Sequence, residues 1–484
     1  MSAQFIKVVT VEEMVRVEQW AVAHGGNEEA FMREAGRGVA EVVAGNYPGK
    51  CVMIVAGKGN KGGDGFVAGI ELLKRGFRVR AVCVSDEGTK LNLLFRKRFE
   101  EAGGVVQKQT DFTHDEVLID ALLGTGFHGP VEKPFSTLID SINRSSKPTV
   151  SIDIPSGLNG TTGTAQHAVK ATHTVTLGFP KIGLFLQDGW NHTGILHIRS
   201  FGLSLQAENQ ARAVAQTPVL TTLALPPMLR TQHKYQRGFV AGFGGSAAMP
   251  GAPQLSGLGA LHTGAGIVKL FSLEPIALTA PELIAQVFDE KLWSEALSKA
   301  QAVFVGPGLG RGAAVKPWLQ KHLSSIKQPC VLDADALYFL PDIAQWPKHC
   351  VLTPHRGEMS RLLGIDKPAN DAEFLDKCQK FVDERQVVLI LKGAPTFVLA
   401  PNSLPIVIPR GDPGLATAGS GDVLTGVCAA LLAQGMPLLD AAVLAVALHA
   451  LAGEAAAAAK TSYGYSASDL IGFLGEALQF FAGD

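Results

Sequence analysis

Short β-rich runs alternate with helix-period segments along nearly the whole chain, and most runs end in glycine or a polar side chain. In the first half the runs are Cys51 to Ala56, Arg78 to Val84, Glu116 to Asp120, Thr149 to Asp153 and Thr174 to Leu177. Helical patterns fall at Val11 to His24, Asn27 to Asn46 and Gly65 to Arg75. In the second half the runs begin near Phe239 and continue at Gly266 to Phe271, Ala302 to Val305, Cys330 to Asp333, Cys350 to Thr353 and Val387 to Lys392, ahead of a mostly helical last third. Such alternation predicts α/β architecture, with parallel sheets covered by helices on both faces. The aperiodic stretch Ala207 to Thr222 reads as a linker. It separates two three-layer domains, expected at 1–212 (a Rossmann-like doubly wound sheet) and 217–484.

Composition narrows the function. With 46% hydrophobic and 18% charged residues the chain can bury large cores. A net charge of −1 argues against a nucleic-acid partner, which needs a basic patch. Six cysteines without a C-x-x-C pair suit reduced thiols in the cytoplasm. The N-terminal residues lack the basic head and long apolar run of a signal peptide. The apolar segment Ala441 to Ala459 is broken by His449, Gly453 and Glu454 and reads as a buried helix pair rather than a membrane span. Glu454 is expected to share a buried network with His449, itself read as a core histidine.

In an open α/β sheet, ligands bind beyond the carboxyl ends of the strands. Gly57-Lys58-Gly59-Asn60-Lys61-Gly62-Gly63-Asp64-Gly65 follows a strand and precedes a helix. It contains G-x-G-x-x-G, yet Asn60, Lys61 and Asp64 make it too polar for an ordinary dinucleotide loop, and a simple dehydrogenase is the weakest reading. Asp120 and Asp153 close later strands and, with Asn60, Asp64 and Ser156, can converge on one small volume. Asn, Asp and Ser oxygens suit a hard cation, and Asp153 can serve as an acid/base group. Capping of the following loops is the plain alternative for Asp120 and Asp153.

The second half carries Gly306-Pro307-Gly308-Leu309-Gly310, Asp333 and Asp335, Thr353-Pro354-His355 and Lys392-Gly393-Ala394-Pro395-Thr396 at successive strand ends. Asp412-Pro413-Gly414 leads to Gly419-Ser420-Gly421-Asp422 and an apolar helix from Val423 to Leu432. Glycines and a helix N-terminus make an anion site, and Asp422 beside it can take a proton from a hydroxyl.

These motifs carry a resemblance. The segments at 57–65, 120–126 and 153–157 are similar to the NAD(P)H-hydrate epimerase domain. The loop at 413–426 resembles that of the ADP- or ATP-dependent NAD(P)H-hydrate dehydratases, which are ribokinase-like. The order of the two resembles the bifunctional hydrate repair enzymes over nearly the whole chain. The resemblance implies that the epimerase half interconverts R and S hydrates of NADH or NADPH. It implies that the dehydratase half restores the S hydrate to NAD(P)H, converting ADP to AMP and phosphate, with Mg2+ on the nucleotide.

Carried over by motif, Asn60, Lys61, Gly62, Gly63, Asp64, Gly124, Thr125, Gly126, Phe127, His128, Gly129, Pro130 and Asp153 contact the hydrate in the first half, with Asp153 catalytic. Ala252, Gly308, His355 and Asp422 line the hydrate pocket in the second half, with Asp422 as base. Lys392, Gly393, Ala394, Pro395, Thr396 and Gly421 hold the adenine nucleotide. Asp120 and Ser156 help hold K+. Here the sequence departs from the family pattern, because Lys61 stands where an Asn is usual. Either its ammonium takes the ion's place between Asp120 and Ser156, or it turns outward and weakens the site. A homo-oligomer without membrane or nucleic-acid partners is expected. The competing reading is a ribokinase-like small-molecule kinase fused to a non-catalytic nucleotide-binding domain.

Overall fold

The computed structural model describes residues 3–127, 129–366 and 370–482. The chain forms two compact units, one of Ile6–Ala215 and one that runs from Gln216 onward and includes Phe5. The stretch expected as a bare linker is structured. It holds the helix Leu205–Gln210, capped by Ser204, and the strand Ala215–Pro218. Ala207 and Ala211 are buried in the first unit's core, which gives this low-periodicity segment its anchor.

The first unit is built on a seven-stranded sheet. Its strand order is Val105–Gln107, Arg78–Cys83, Cys51–Ala56, Val117–Ala121, Thr149–Ile152, His173–Leu177, Ile195–Arg199, and every pair is parallel. The order reverses between Cys51–Ala56 and Val117–Ala121, so a crevice opens at the carboxyl ends of those two strands. The helices Val11–Ala23 and Glu28–Asn46 start where Thr10 and Asn27 accept from the third backbone N–H beyond them and where glutamates fill the first turn. The helix predicted from Gly65 begins earlier, at Asn60. Gly62 and Gly63 allow this. A Cβ on Gly62 would lie 2.2 Å from the Gly57 carbonyl, and one on Gly63 2.6 Å from Met32 Sδ.

The second unit's sheet runs Ile284–Val287, Ile267–Ser272, Phe239–Phe243, Ala302–Val305, Cys330–Leu332, Cys350–Leu352, Val388–Leu391 in parallel. Thr396–Leu399 and Ile406–Ile408 extend it antiparallel. They interrupt a region read from sequence as mostly helical, because the Lys392 to Thr396 turn folds the chain straight back on itself. The helix Ser420–Ala433 packs on Gly251–His262 almost backbone to backbone. A Cβ on Gly426 would fall 1.9 Å from the Ser256 carbonyl, and one on Gly259 2.7 Å from that of Val423. Leu438–Lys460 is one continuous helix rather than a pair. By length and composition it could cross a membrane, but 78% of its apolar window is buried in this unit's core.

Candidate active sites

In the first unit, the early helix start turns the expected loop into a helical first turn that faces the crevice. Asn92 donates to the carbonyls of Gly57 and Gly59 at 2.9 and 2.8 Å and pins the turn. Thr89 Oγ1 donates to Asn60 Oδ1 at 2.7 Å. Lys61 points inward and is 7% exposed. Its ammonium lies 2.7 Å from the Ile154 carbonyl, 2.9 Å from the Leu123 carbonyl, 3.0 Å from Ser156 Oγ and 3.5 Å from Asp120 Oδ2. Burial lowers the Lys61 pKa from its ordinary value, and the carboxylate of Asp120 opposes that. Asp120 is fully buried and accepts from Ser151 Oγ at 2.8 Å, the Ser156 amide at 2.9 Å and the Leu122 amide at 3.2 Å, as well as from the Ser156 hydroxyl. The outward-turned alternative for Lys61 is therefore excluded. The oxygens of Asp120 and Ser156 face an ammonium, and a potassium ion does not fit among them.

Above this cage lies a cavity of about 880 Å³, lined among others by Glu18, Asn60, Lys61, Asp64, Gly124, Thr125, Gly126, Phe127 and Asp153. Gly62 and Gly63 are buried beneath it, and Gly129 and Pro130 are exposed and off its wall. His128 lies outside the described residues. Asp153 has φ 65°, a left-handed conformation rarely adopted by a non-glycine residue and a form of strain concentrated at functional sites. Its Oδ1 accepts from the Leu177 amide at 3.1 Å and forms an ion pair with Lys181, which is fully buried. Lys181 also donates to the Leu177 carbonyl at 2.9 Å.

Two further carboxyls face the same space. Burial, reinforced by Asp153 and opposed by Lys181, pushes Glu18 up to about 7. Burial, with Asp153 and Glu18 adding to it, pushes Asp64 well above the carboxylate range. The crevice thus sets a carboxylate paired with the buried Lys181 beside two that burial drives toward the protonated form.

Glu18 and Lys181 were not among the residues singled out from sequence. The signal for Glu18 was available. It lies four residues after buried Met14, on the apolar face of its helix, where a carboxylate is costly without a purpose.

In the second unit, Gly419 takes φ 90° and starts the helix Ser420–Ala433, which places Asp422 in the first turn. The amides of that turn have no intrahelical acceptor and face outward as donors. His449 Nε2 and the Ser420 carbonyl are 2.9 Å apart, so the ring must carry its proton there and hold the turn from behind. Burial lowers His449 to about 4, and it stays neutral.

Lys392 donates to Asp333 Oδ1 at 2.8 Å, and Thr425 Oγ1 to Asp333 Oδ2 at 2.7 Å. A Cβ on Gly421 would come 3.1 Å from Lys392 Nζ, so the ammonium lies against the anion loop. Burial works against the charged form of Lys392, but Asp333 and Glu358 outweigh it and raise its pKa. Burial, then the field of Asp333, pushes Asp422 up to about 7 despite Lys392.

Ala252 and Gly308 meet, since a Cβ on Gly308 would lie 3.0 Å from that of Ala252. His355 is the N-cap of Arg356–Leu363. Its Nδ1 accepts from the Gly357 amide at 3.0 Å, its ring is largely exposed, and its backbone pairs with that of Lys392 in a parallel β-bridge. Gly393, Ala394, Pro395 and Thr396 form the turn after Lys392, closed by Thr396 Oγ1 donating to the Gly393 carbonyl at 3.0 Å. Glu454 does not join His449. It accepts from Arg410 Nε and the Gly411 amide, both at 2.8 Å, and steadies the approach to the loop.

Comparison with known proteins finds relatives of both units. Residues 28–183 match the family model described as YjeF-related protein N-terminus, and residues 241–474 match that of NAD(P)H-hydrate dehydratase. The chain is 33% identical over 487 residues to the bifunctional NAD(P)H-hydrate repair enzyme of Moorella thermoacetica, covering 92% of this chain and 91% of the relative. It is 33% identical over 484 residues to that of Vibrio cholerae, covering 97% of each. Among solved structures, the ADP/ATP-dependent NAD(P)H-hydrate dehydratase of Bacillus subtilis, co-crystallised with ATP and Mg2+, is 28% identical with a TM-score of 0.45, covering 53% of this chain and 95% of that one.

Proposed function

The chain belongs to the bifunctional NAD(P)H-hydrate repair enzymes, and from that premise we propose how each of its units works. The N-terminal unit interconverts the R and S hydrates of NADH and NADPH. The C-terminal unit dehydrates the S form at the expense of an adenine nucleotide, with ADP as donor and AMP and phosphate as products.

Asp422 is the dehydratase base. The observation that carries this role is its position in the first turn of the anion-loop helix, next to Lys392 and with a pKa near 7. Ionised, it takes the proton of the hydrate's hydroxyl. The hydroxyl oxygen then bonds to the terminal phosphorus while the bond to the departing nucleotide oxygen breaks. Phosphate leaves the ring carbon with the bonding pair as the ring nitrogen's lone pair fills in, and loss of a proton from the neighbouring ring carbon to water restores the conjugation of the dihydropyridine. Amides of Gly421 and its neighbours receive the phosphate oxygens, and the Lys392–Thr396 turn holds the nucleotide. Ala252, Gly308 and His355 border the hydrate.

Among the described residues, no cluster of three or more His, Cys, Asp or Glu side chains is arranged to hold a metal. Both oxygens of Asp333 are already engaged by Lys392 and Thr425. Magnesium, which neutralises phosphate charge, therefore travels with the nucleotide rather than residing in the protein.

In the epimerase, Asp153 and Glu18 form the acid–base pair. Epimerisation at a carbon bearing both a hydroxyl and the ring nitrogen needs a proton removed at one place and supplied at another. Ion-paired Asp153 takes the hydroxyl proton as the carbon–nitrogen bond opens to the aldehyde with its pair on nitrogen. Glu18, neutral below about 7, gives its proton to that nitrogen, and re-addition of the nitrogen to the other face of the carbonyl returns both protons. Asn60, Asp64 and the 124–127 segment border the substrate. No step passes through potassium. A cytoplasmic location suits the six free cysteines.

The test is incubation of the protein with mixed R and S hydrates and ADP, following both epimers, AMP and phosphate. Loss of both epimers with matching AMP and phosphate is expected. A stable phosphorylated product would instead identify a kinase.

A further inference from the structure

We propose that Lys61 is a tethered monovalent cation: its ammonium permanently fills the oxygen cage beneath the epimerase cavity, so this site functions without dissociable potassium. The cage is made by two strand ends and the helix start between them. Leu123 and Ile154 give carbonyls, Ser156 a hydroxyl and Asp120 a carboxylate. These are the hard oxygens that a bare alkali cation would select.

An ammonium resembles potassium in size and charge, and it carries three donors. The contacts of 2.7, 2.9 and 3.0 Å use all three, on Ile154, Leu123 and Ser156. The carboxylate of Asp120, at 3.5 Å, supplies the countercharge. With every N–H engaged, Lys61 has none left to shuttle to a substrate, which makes it a positioning residue rather than a catalytic one.

What it positions is specific. Its acceptors are the backbone of Leu123, next to the cavity-lining segment 124–127, and of Ile154, next to Asp153. One cation thereby ties the first turn of Asn60–Lys74 to both substrate-facing turns. Covalent attachment also removes the entropy of capturing an ion, so the turns stay ordered whatever the ionic composition.

The activity arm of the test rests on the epimerase reading above, whereas the stability arm does not. The full-length protein and its Lys61→Asn and Lys61→Met variants are compared in KCl and in choline chloride at equal ionic strength. Epimerisation rate and melting temperature of the N-terminal unit are recorded. Wild type is expected to epimerise within about twofold of the same rate in both salts and to melt at the same temperature, since no ion binds the native state selectively.

Lys61→Asn reopens the cage with an amide oxygen. It should melt several degrees lower in choline and regain most of that with saturating KCl. Lys61→Met should lose as much and regain nothing. A potassium-specific rise in the wild-type melting temperature, or a roughly tenfold potassium stimulation of its epimerisation, would overturn the proposal. So would a Lys61→Asn protein that potassium fails to restore. Should neither variant fold, the wild-type comparison decides alone. Wild type that epimerises in neither salt but melts without potassium dependence would contradict the activity reading and leave the tethered cation supported.

Discussion

Replacing Glu18 with Gln removes a proton donor while keeping its shape. If the two carboxyls of the first cavity divide acid and base roles, Glu18→Gln should slow epimerisation by about 10²–10⁴-fold. Dehydration of pure S hydrate should be unchanged, and chromatography of the two epimers reads both. Lys181 tests the other partner. It is fully buried against Asp153, and Lys181→Met strands that carboxylate without its cation. Breaking a buried pair in this way costs about 3–5 kcal/mol, measurable as a lower denaturation midpoint of the first unit.

Asp422 yields a pH prediction. As a base it must be ionised, so dehydration at saturating nucleotide should rise through about pH 7 and then level. Its stability effect has the opposite slope. Its folded pKa is raised, so the native state binds the extra proton, and the contribution to stability, full below the unfolded pKa near 4, is lost as pH rises through about 7. Asp422→Asn should therefore melt higher than wild type at pH 8 and gain little at pH 4. The gain at pH 8 should be on the order of 1–2 kcal/mol, discounted for partial solvent access.

At the scale of elements, the anion loop depends on how closely Ser420–Ala433 lies on Gly251–His262. A side chain at Gly426 meets the Ser256 backbone at 1.9 Å, and backbone inside a helix cannot yield. Gly426→Val should cost the second unit about 2–4 kcal/mol and displace Asp422, with dehydration falling while epimerisation persists. The contact was not legible in the sequence, where Gly426 is one small residue in an apolar run.

What the sequence did convey was local. Cys51–Ala56 and Ala302–Val305 have the predicted bounds because β-branched and apolar residues are bracketed there by glycine or a polar side chain. The strand-end groups Asp120, Asp153, Asp333 and Lys392 follow from the same pattern. Strands that escaped notice, such as Ile195–Arg199 and Ile284–Val287, flank their sheets, where burial is partial and the hydrophobic signal weak. Lys181 escaped because its value comes from Asp153, twenty-eight residues earlier, and only tertiary structure brings them together.

Across the whole molecule, each unit has its own sheet and hydrophobic core, and each site is built within one unit. Damage to one chemistry should therefore spare the other, and a single residue can separate them. The decisive measurement supplies Asp422→Asn with mixed R and S hydrates and ADP, beside the wild type. The account predicts that wild type consumes both epimers and releases AMP and phosphate. The variant should consume neither and form no AMP, yet still equilibrate a sample of pure R or pure S hydrate. Dehydration by Asp422→Asn at the wild-type rate would contradict it.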